Sequence, residues 1–177
     1  MNLQNSSILY AGPDGYGIYR STNGGNSWTV AGGGRDVRSF ALDPTTASIA
    51  YASTVQYILK TSDHGGNWYS SNSGLPNPYI NGLAVDSNNS STVYAGPDRQ
   101  GIWKTTNAGA SWFVSNGGLP ATSIIAAAVN PMDSRIIYAG SDSLGMFRSV
   151  DGGENWSTLN DGLTNLNVGR YALAMDN

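Results

Sequence analysis

Four stretches of this chain can be written beneath one another. They begin at Ile8 (ILYAGPDGYGIYRSTNGGNSW), Ile49 (IAYASTVQYILKTSDHGGNW), Thr92 (TVYAGPDRQGIWKTTNAGASW) and Ile136 (IIYAGSDSLGMFRSVDGGENW). Their tryptophans, Trp28, Trp68, Trp112 and Trp156, are spaced by 40, 44 and 44 residues. Each Trp is followed by a Gly-rich connection and an apolar segment: VRSFALDP from Val37, INGLAVDS from Ile80, IIAAAVNP from Ile124 and RYALAMDN from Arg170. A period of this length suits helical solenoids or the blades of a propeller. Apolar runs of three to six residues, punctuated by Gly, Asn, Asp and Pro, predict about four short strands per repeat and no helix. Composition agrees: long solvated helices draw on Glu and Lys, and this chain has one Glu (Glu154) and two Lys (Lys60 and Lys104). The expected fold is all-β, a propeller of four-stranded antiparallel blades, four blades to the chain. It forms one domain over 1–177 with repeats at 8–48, 49–91, 92–135 and 136–177.

Within a blade the innermost strand is the FALDP-type segment and the second carries Tyr10, Tyr51, Tyr94 or Tyr138. The third lies around Ile18, Ile58, Ile102 or Met146, and the outer strand begins at the Trp. Ala41, Ala84, Ala128 and Ala174 stand in register on the inner strands, where chains crowd towards an axis. Tyr19, Leu59, Trp103 and Phe147 lie further out, where a radial wedge is wider.

The turn between third and outer strands is the most specific motif. It reads Ser21-x-Asn23-x-Gly25-x-x-Trp28, Thr61-x-Asp63-x-Gly65-x-x-Trp68, Thr105-x-Asn107-x-Gly109-x-x-Trp112 and Ser149-x-Asp151-x-Gly153-x-x-Trp156. This motif resembles the Asp box, or bacterial neuraminidase repeat (BNR), of sialidases, sortilin-type receptors, xyloglucanases and photosystem II assembly factors. The resemblance covers the chain from Ile8 onwards and implies a propeller whose boxes close hairpins on one face. The residue chemistry gives the turns a structural role. An Asx side chain accepts backbone N–H bonds two residues on, glycine takes positive φ, and the Trp is expected to bury itself against a neighbouring blade. Asn at positions 23 and 107 replaces a carboxylate as acceptor but not as general base or strong calcium ligand. Arg20, Lys60, Lys104 and Arg148 precede the boxes and are expected to lay their stems on the strands with their heads in water. His64, without a second His, is expected at the surface.

Ligand-binding candidates fall on the face opposite the boxes, where the loops after the second and outer strands meet. They are Asp14, Tyr16, Tyr57, Tyr79, Asp98, Arg99 and Asp142; Arg35 lies in the same loops. Tyr rings beside Asp and Arg suit sugars, whose CH faces stack while hydroxyls find directional partners. Glycoside cleavage needs two carboxyl groups flanking one bond. Glu154 lies in a box on the wrong face, no arginine cluster is visible, and Asp14, Asp98 and Asp142 share one repeat position in turns. The balance favours a non-catalytic binding or assembly module that recognises a polysaccharide or a protein surface. The alternative is a fragment or lobe of a xyloglucanase-like glycoside hydrolase.

A net charge of −3 with scattered cations argues against nucleic acid, and no apolar run reaches membrane-span length. No cofactor or metal is expected, and with no cysteine there is no thiolate site. Low Lys content and abundant Asn, Ser and Thr point outside the cell, although Met1–Ser7 lacks the pattern of an export signal. The chain starts on a second strand and ends on an inner one. A homo-oligomer is therefore expected, a head-to-tail ring of two chains with 4 + 4 blades. A four-bladed monomer and a piece of a longer propeller are the competing arrangements. Arg170, in register with Val37, Ile80 and Ile124, marks the expected junction.

Overall fold

The computed structural model describes residues 7–33, 36–76, 79–169 and 173. The described residues contain fifteen strands in four antiparallel sheets and no helix. Blade I holds β1 (Leu9–Ala11), β2 (Ile18–Ser21) and β3 (Thr29–Gly32). Blade II holds β4 (Ser39–Leu42), β5 (Ala50–Ser53), β6 (Ile58–Thr61) and β7 (Tyr69–Ser70). Blade III holds β8 (Ile80–Val85), β9 (Val93–Pro97), β10 (Trp103–Thr105) and β11 (Phe113–Val114). Blade IV holds β12 (Ile124–Val129), β13 (Ile137–Ser141), β14 (Met146–Ser149) and β15 (Ser157–Thr158). Each four-stranded sheet is a meander running from the FALDP-type strand outwards, so a sheet is offset by one strand from the repeat as it is written in the sequence. The propeller expectation holds. An inner strand for blade I would draw on 170–176, of which only Leu173 is described.

Strand β8 packs against both β4 and β12, so the inner strands meet around a common centre. Ala41 and Ala84 are buried there, Ala128 is half-buried, and Ala174 lies outside the described residues. Close approach explains the small residues of the second strands. A Cβ on Gly96 would collide with Ile124, and one on Gly140 with Val168. Val168 therefore takes the place on blade IV that Ile124 takes on blade III, and its N–H donates to Ser141 O as that of Ile80 does to Thr54 O. This corrects the sequence register, which put Arg170 at that place. Arg170 itself lies outside the described residues.

The four box turns are alike. In blade III the Thr105 hydroxyl donates to Asn107 Oδ1 (2.8 Å) and accepts the Gly109 N–H (3.0 Å), while Asn107 Oδ1 accepts the Ser111 N–H (2.9 Å). The same three bonds recur around Asn23, Asp63 and Asp151. The Asx oxygen reaches the amide four residues on; the amide two residues beyond the Asx, that of the box glycine, goes to the Ser or Thr hydroxyl instead. That corrects the expected i to i+2 Asx bond. Gly109 adopts φ 83°, which suits a residue without Cβ.

Three further expectations change. Trp112 and Trp156 are buried, but Trp28 is 41% exposed because no blade precedes it among the described residues. Lys60 and Lys104 do not end in water: each Nζ donates at 2.8 Å to a carbonyl in the next blade's box turn, Ala108 O or Gly152 O. Their ammonium groups also lie over the Tyr51 and Tyr94 rings, at 5.5 and 5.6 Å. Burial holds the Lys60 pKa below its usual value. His64 is half-buried at φ 58°, beside Gly65, where a Cβ would meet the Tyr10 ring of blade I.

Candidate functional site

The loop face is built by repetition. Each second strand ends in a turn beside the start of the following blade's inner strand, so residues far apart in sequence meet at the seams. Within blade III Asp98 N donates to Tyr79 O at 2.7 Å, within blade IV Asp142 N donates to Ser123 O at 3.1 Å, and Ser123 meets Asp98 across the seam between them. These bonds gather Tyr79, Asn81, Asp98, Ser123, Ile125, Asp142 and Asn167 around an open hollow of about 230 Å³.

Hydrogen bonds fix the two carboxylates. The Ser123 hydroxyl donates to Asp98 Oδ1 at 2.7 Å and itself accepts the Arg99 N–H at 3.0 Å. Asp142 Oδ1 accepts from the Ser143 hydroxyl at 3.1 Å and, at 3.4 Å, from Thr122 Oγ1. Arg99 holds φ 57° and sends an 85% exposed side chain away, its Nε only within 4.0 Å of Asp98 Oδ2. Such an exposed pair contributes little. Tyr79 is positioned across a seam: Arg38 Nη2 donates to its hydroxyl at 2.6 Å, and the guanidinium carbon lies 4.5 Å from the ring centroid.

Asn81 is the most informative member. It is 4% exposed, and its Oδ1 is buried without a hydrogen-bond partner among the described residues. Leaving a buried amide oxygen unpaired costs about 1–3 kcal/mol, and this one lies at the wall of the hollow. The sequence held a signal for it, since Asn81 is an amide in an otherwise apolar inner strand, INGLAV.

Of the seven candidates, Tyr79, Asp98 and Asp142 line the hollow, with Arg99 beside it. Asp14, Tyr16 and Tyr57 do not line it. Tyr16 is exposed in a turn closed by its N–H to Pro13 O, and Tyr57 stands on a turn pinned by the Thr54 hydroxyl. Arg35 lies outside the described residues. Asn81, Ser123 and Asn167 join the site without having been singled out in the sequence. Among the described residues no group of three His, Cys, Asp or Glu is placed to hold a metal ion. No described helix is long and apolar enough to cross a membrane.

Blades of antiparallel strands, packed on their inner edges around a common centre, define a β-propeller. The comparisons narrow this. A xyloglucanase of Hypocrea jecorina is 33% identical over 93 residues, which make up 51% of this chain and 11% of that enzyme. A GH74 enzyme from Niastella koreensis superposes with a TM-score of 0.75 at 26% identity, over 89% of this chain and 28% of its own. The GH74 xyloglucanase from Xanthomonas campestris gives 0.78 at 20% identity, over 93% of this chain and 30% of its own, a likeness of fold. This chain thus spans about a tenth of the curated relative and less than a third of the two solved ones. No family model matches the sequence.

Proposed function

We propose that these blades are a polysaccharide-binding lobe of a larger propeller of the xyloglucanase kind, and that the ligand lies on the loop face over the Asn81 hollow. The observation that carries this reading is the buried, unpaired Asn81 Oδ1 between two carboxylates and a tyrosine. All three groups accept hydrogen bonds, and among the described residues no Lys or Arg lines the hollow. Such a set suits a neutral, hydroxyl-rich chain and disfavours an anionic one. The Ser/Thr-x-Asx-x-Gly-x-x-Trp turns are read as Asp boxes that hold the fold, away from the ligand. A polysaccharide ligand places the protein outside the cell, and the ring is completed by blades beyond these four.

The second reading is a catalytic lobe, favoured by the identity to a xyloglucanase and by the paired Asp98 and Asp142. One experiment addresses both readings. Calorimetric titration with a xyloglucan oligosaccharide is expected to show saturable binding that Asn81→Ala weakens at least tenfold, with no reducing ends released on incubation. Release of reducing ends that Asp98→Asn or Asp142→Asn abolishes would establish the catalytic reading. Absence of binding to any neutral glycan would overturn both.

A further inference from the structure

Two residues depart from the repeat on the loop face, and they meet each other. The residue just ahead of the inner-strand segments is Asp36, Tyr79, Ser123 or Asn167, so Tyr79 is an aromatic among small polar groups. Two places further on stand Arg38, Asn81, Ile125 and Gly169, of which Arg38 alone is charged. From Tyr79 onwards the members of both sets line the hollow. Arg38 instead lines a separate recess of about 260 Å³, with Val37 and Phe40.

The strands differ in the same way. The pairing of β8 with β9 shifts register at Asn81, and that of β12 with β13 at Ile125; an irregularity of this kind re-aims the side chain it carries. Strand β4 pairs with β5 without a shift, and the Arg38 N–H donates to Ser53 O at 2.8 Å. From this regular strand the Arg38 side chain crosses the seam to blade III. There Nη2 donates to the Tyr79 hydroxyl at 2.6 Å, and the guanidinium carbon lies over the ring, 4.5 Å from its centroid. One contact fixes the tip of the ring and the other occupies one of its faces. The Tyr79 main chain is tied as well, its carbonyl accepting the Asp98 N–H at 2.7 Å. Tyr79 is nevertheless 38% exposed where it borders the hollow.

Resting on the polysaccharide reading, we propose that Arg38 is a positioning residue for the ligand. It holds the Tyr79 ring as a fixed wall on which a sugar ring lays its C–H face, and it does not itself touch the sugar. The aromatic wall takes the apolar face, while Asn81, Asp98 and Asp142 accept from hydroxyls at the sugar's edge. The ligand class follows: a neutral pyranose with an unbroken C–H face and hydroxyls around its rim. Fixing the Tyr79 ring beforehand removes ordering that a free side chain would add to each binding event.

Calorimetric titration of the intact chain with a xyloglucan oligosaccharide tests this. Arg38→Met keeps the stem and removes the guanidinium, and should weaken binding about tenfold; Arg38→Lys, which keeps the charge without the planar fork, should fall between. Tyr79→Ala should weaken binding at least as much as Arg38→Met, because a residue acting through the ring is worth no more than the ring. Arg38→Met combined with Tyr79→Phe should lose less than the two single changes together, since both break the same bond. In Arg38→Met the Tyr79 ring resonances should move while the Trp112 indole N–H, bonded to Ser71 O elsewhere in the same seam, stays in place. Where Arg38→Met does not melt cooperatively, Arg38→Lys carries the same comparisons. Tighter binding by Tyr79→Ala than by Arg38→Met overturns the proposal, as do independent losses in the double variant or a displaced Trp112 resonance. A wild type that binds while Arg38→Met binds equally well fails this proposal alone. A wild type that binds no neutral glycan fails the polysaccharide reading, and this one with it.

Discussion

The junction between blades I and II differs from the one between blades II and III, although the same repeat builds both. At the second, the Trp112 indole donates to Ser71 O, and the Ser71 hydroxyl donates to Gly109 O at 2.7 Å, so both the indole and the serine hydroxyl are paired across the contact. At the first, Ala31 replaces that serine. The pairing of β2 with β3 shifts register between Ile18 and Tyr19, and Trp68 Nε1 is buried without a partner among the described residues. Packing takes over. Tyr10 stacks on Phe40 at 5.9 Å between ring centroids and meets Trp68 edge-on at 5.5 Å. The two seams thus differ in one hydroxyl, Ser71 against Ala31, and in the regularity of the outer strand, and the first is closed by an aromatic cluster where the second has directional bonds.

The largest expected effect follows from removing the indole where it is both buried and bonded. Trp112→Ala should cost about 3–5 kcal/mol of unfolding free energy, the range for buried aromatic truncation, whereas Trp28→Ala at the exposed box should cost under about 1 kcal/mol. Denaturant melts of the two variants check this. Equal losses would erase the distinction between filled and open seams. Next in size is the repair of the weaker seam. Ala31→Ser restores a hydroxyl facing the next box turn and should stabilise by about 0.5–1.5 kcal/mol, the net worth of one hydrogen bond. No gain in melting temperature would mean that the β2–β3 irregularity, and not the missing hydroxyl, sets the aromatic seam apart.

How much of this was legible in the sequence depends on how local the cause is. The box turns were legible because Thr105, Asn107, Gly109 and Ser111 bond within one turn, and four copies repeat the pattern. Strand order followed from the same repetition. Trp28 was misjudged because burial of a box Trp depends on the preceding blade, which the turn's own residues do not encode. The Lys60 and Lys104 heads were misjudged for the same reason, since their carbonyl partners lie 48 residues away. The register of Val168 was hidden by extra residues between it and Ala174, which a fixed alignment on Asp176 passes to Arg170. On the loop face, Tyr79, Asp98 and Asp142 were singled out as polar or aromatic loop residues. Asn81 was passed over because it belongs to an inner strand, and Ser123 because its partner Asp98 lies across a seam.

A smaller effect concerns acid. Asp63 is held at about 2, below its ordinary 3.8, chiefly by the bond from the Asn67 side chain and then by the Asn67 N–H. Asp151 is likewise held at about 2, chiefly by the Asn155 N–H and then by its side chain. A carboxyl with a depressed folded pKa contributes stability fully above its unfolded value and loses it as pH falls through the folded one. The wild type should therefore lose stability between about pH 4 and pH 2 through blades II and IV, whose boxes carry Asp, and not through the Asn boxes of I and III. Asp63→Asn together with Asp151→Asn should flatten that limb and change little at neutral pH. A melting temperature that still falls as steeply in the double variant would place the acid sensitivity outside the boxes.

The polysaccharide reading is tested most directly by amide chemical shifts during titration with a xyloglucan oligosaccharide. Shifts concentrated at Tyr79, Asn81, Asp98, Ser123 and Asp142, and lost in Asn81→Ala, are the expected result. Shifts confined to the box turns around Asn23, Asp63, Asn107 and Asp151, or none at a saturating concentration, would contradict it.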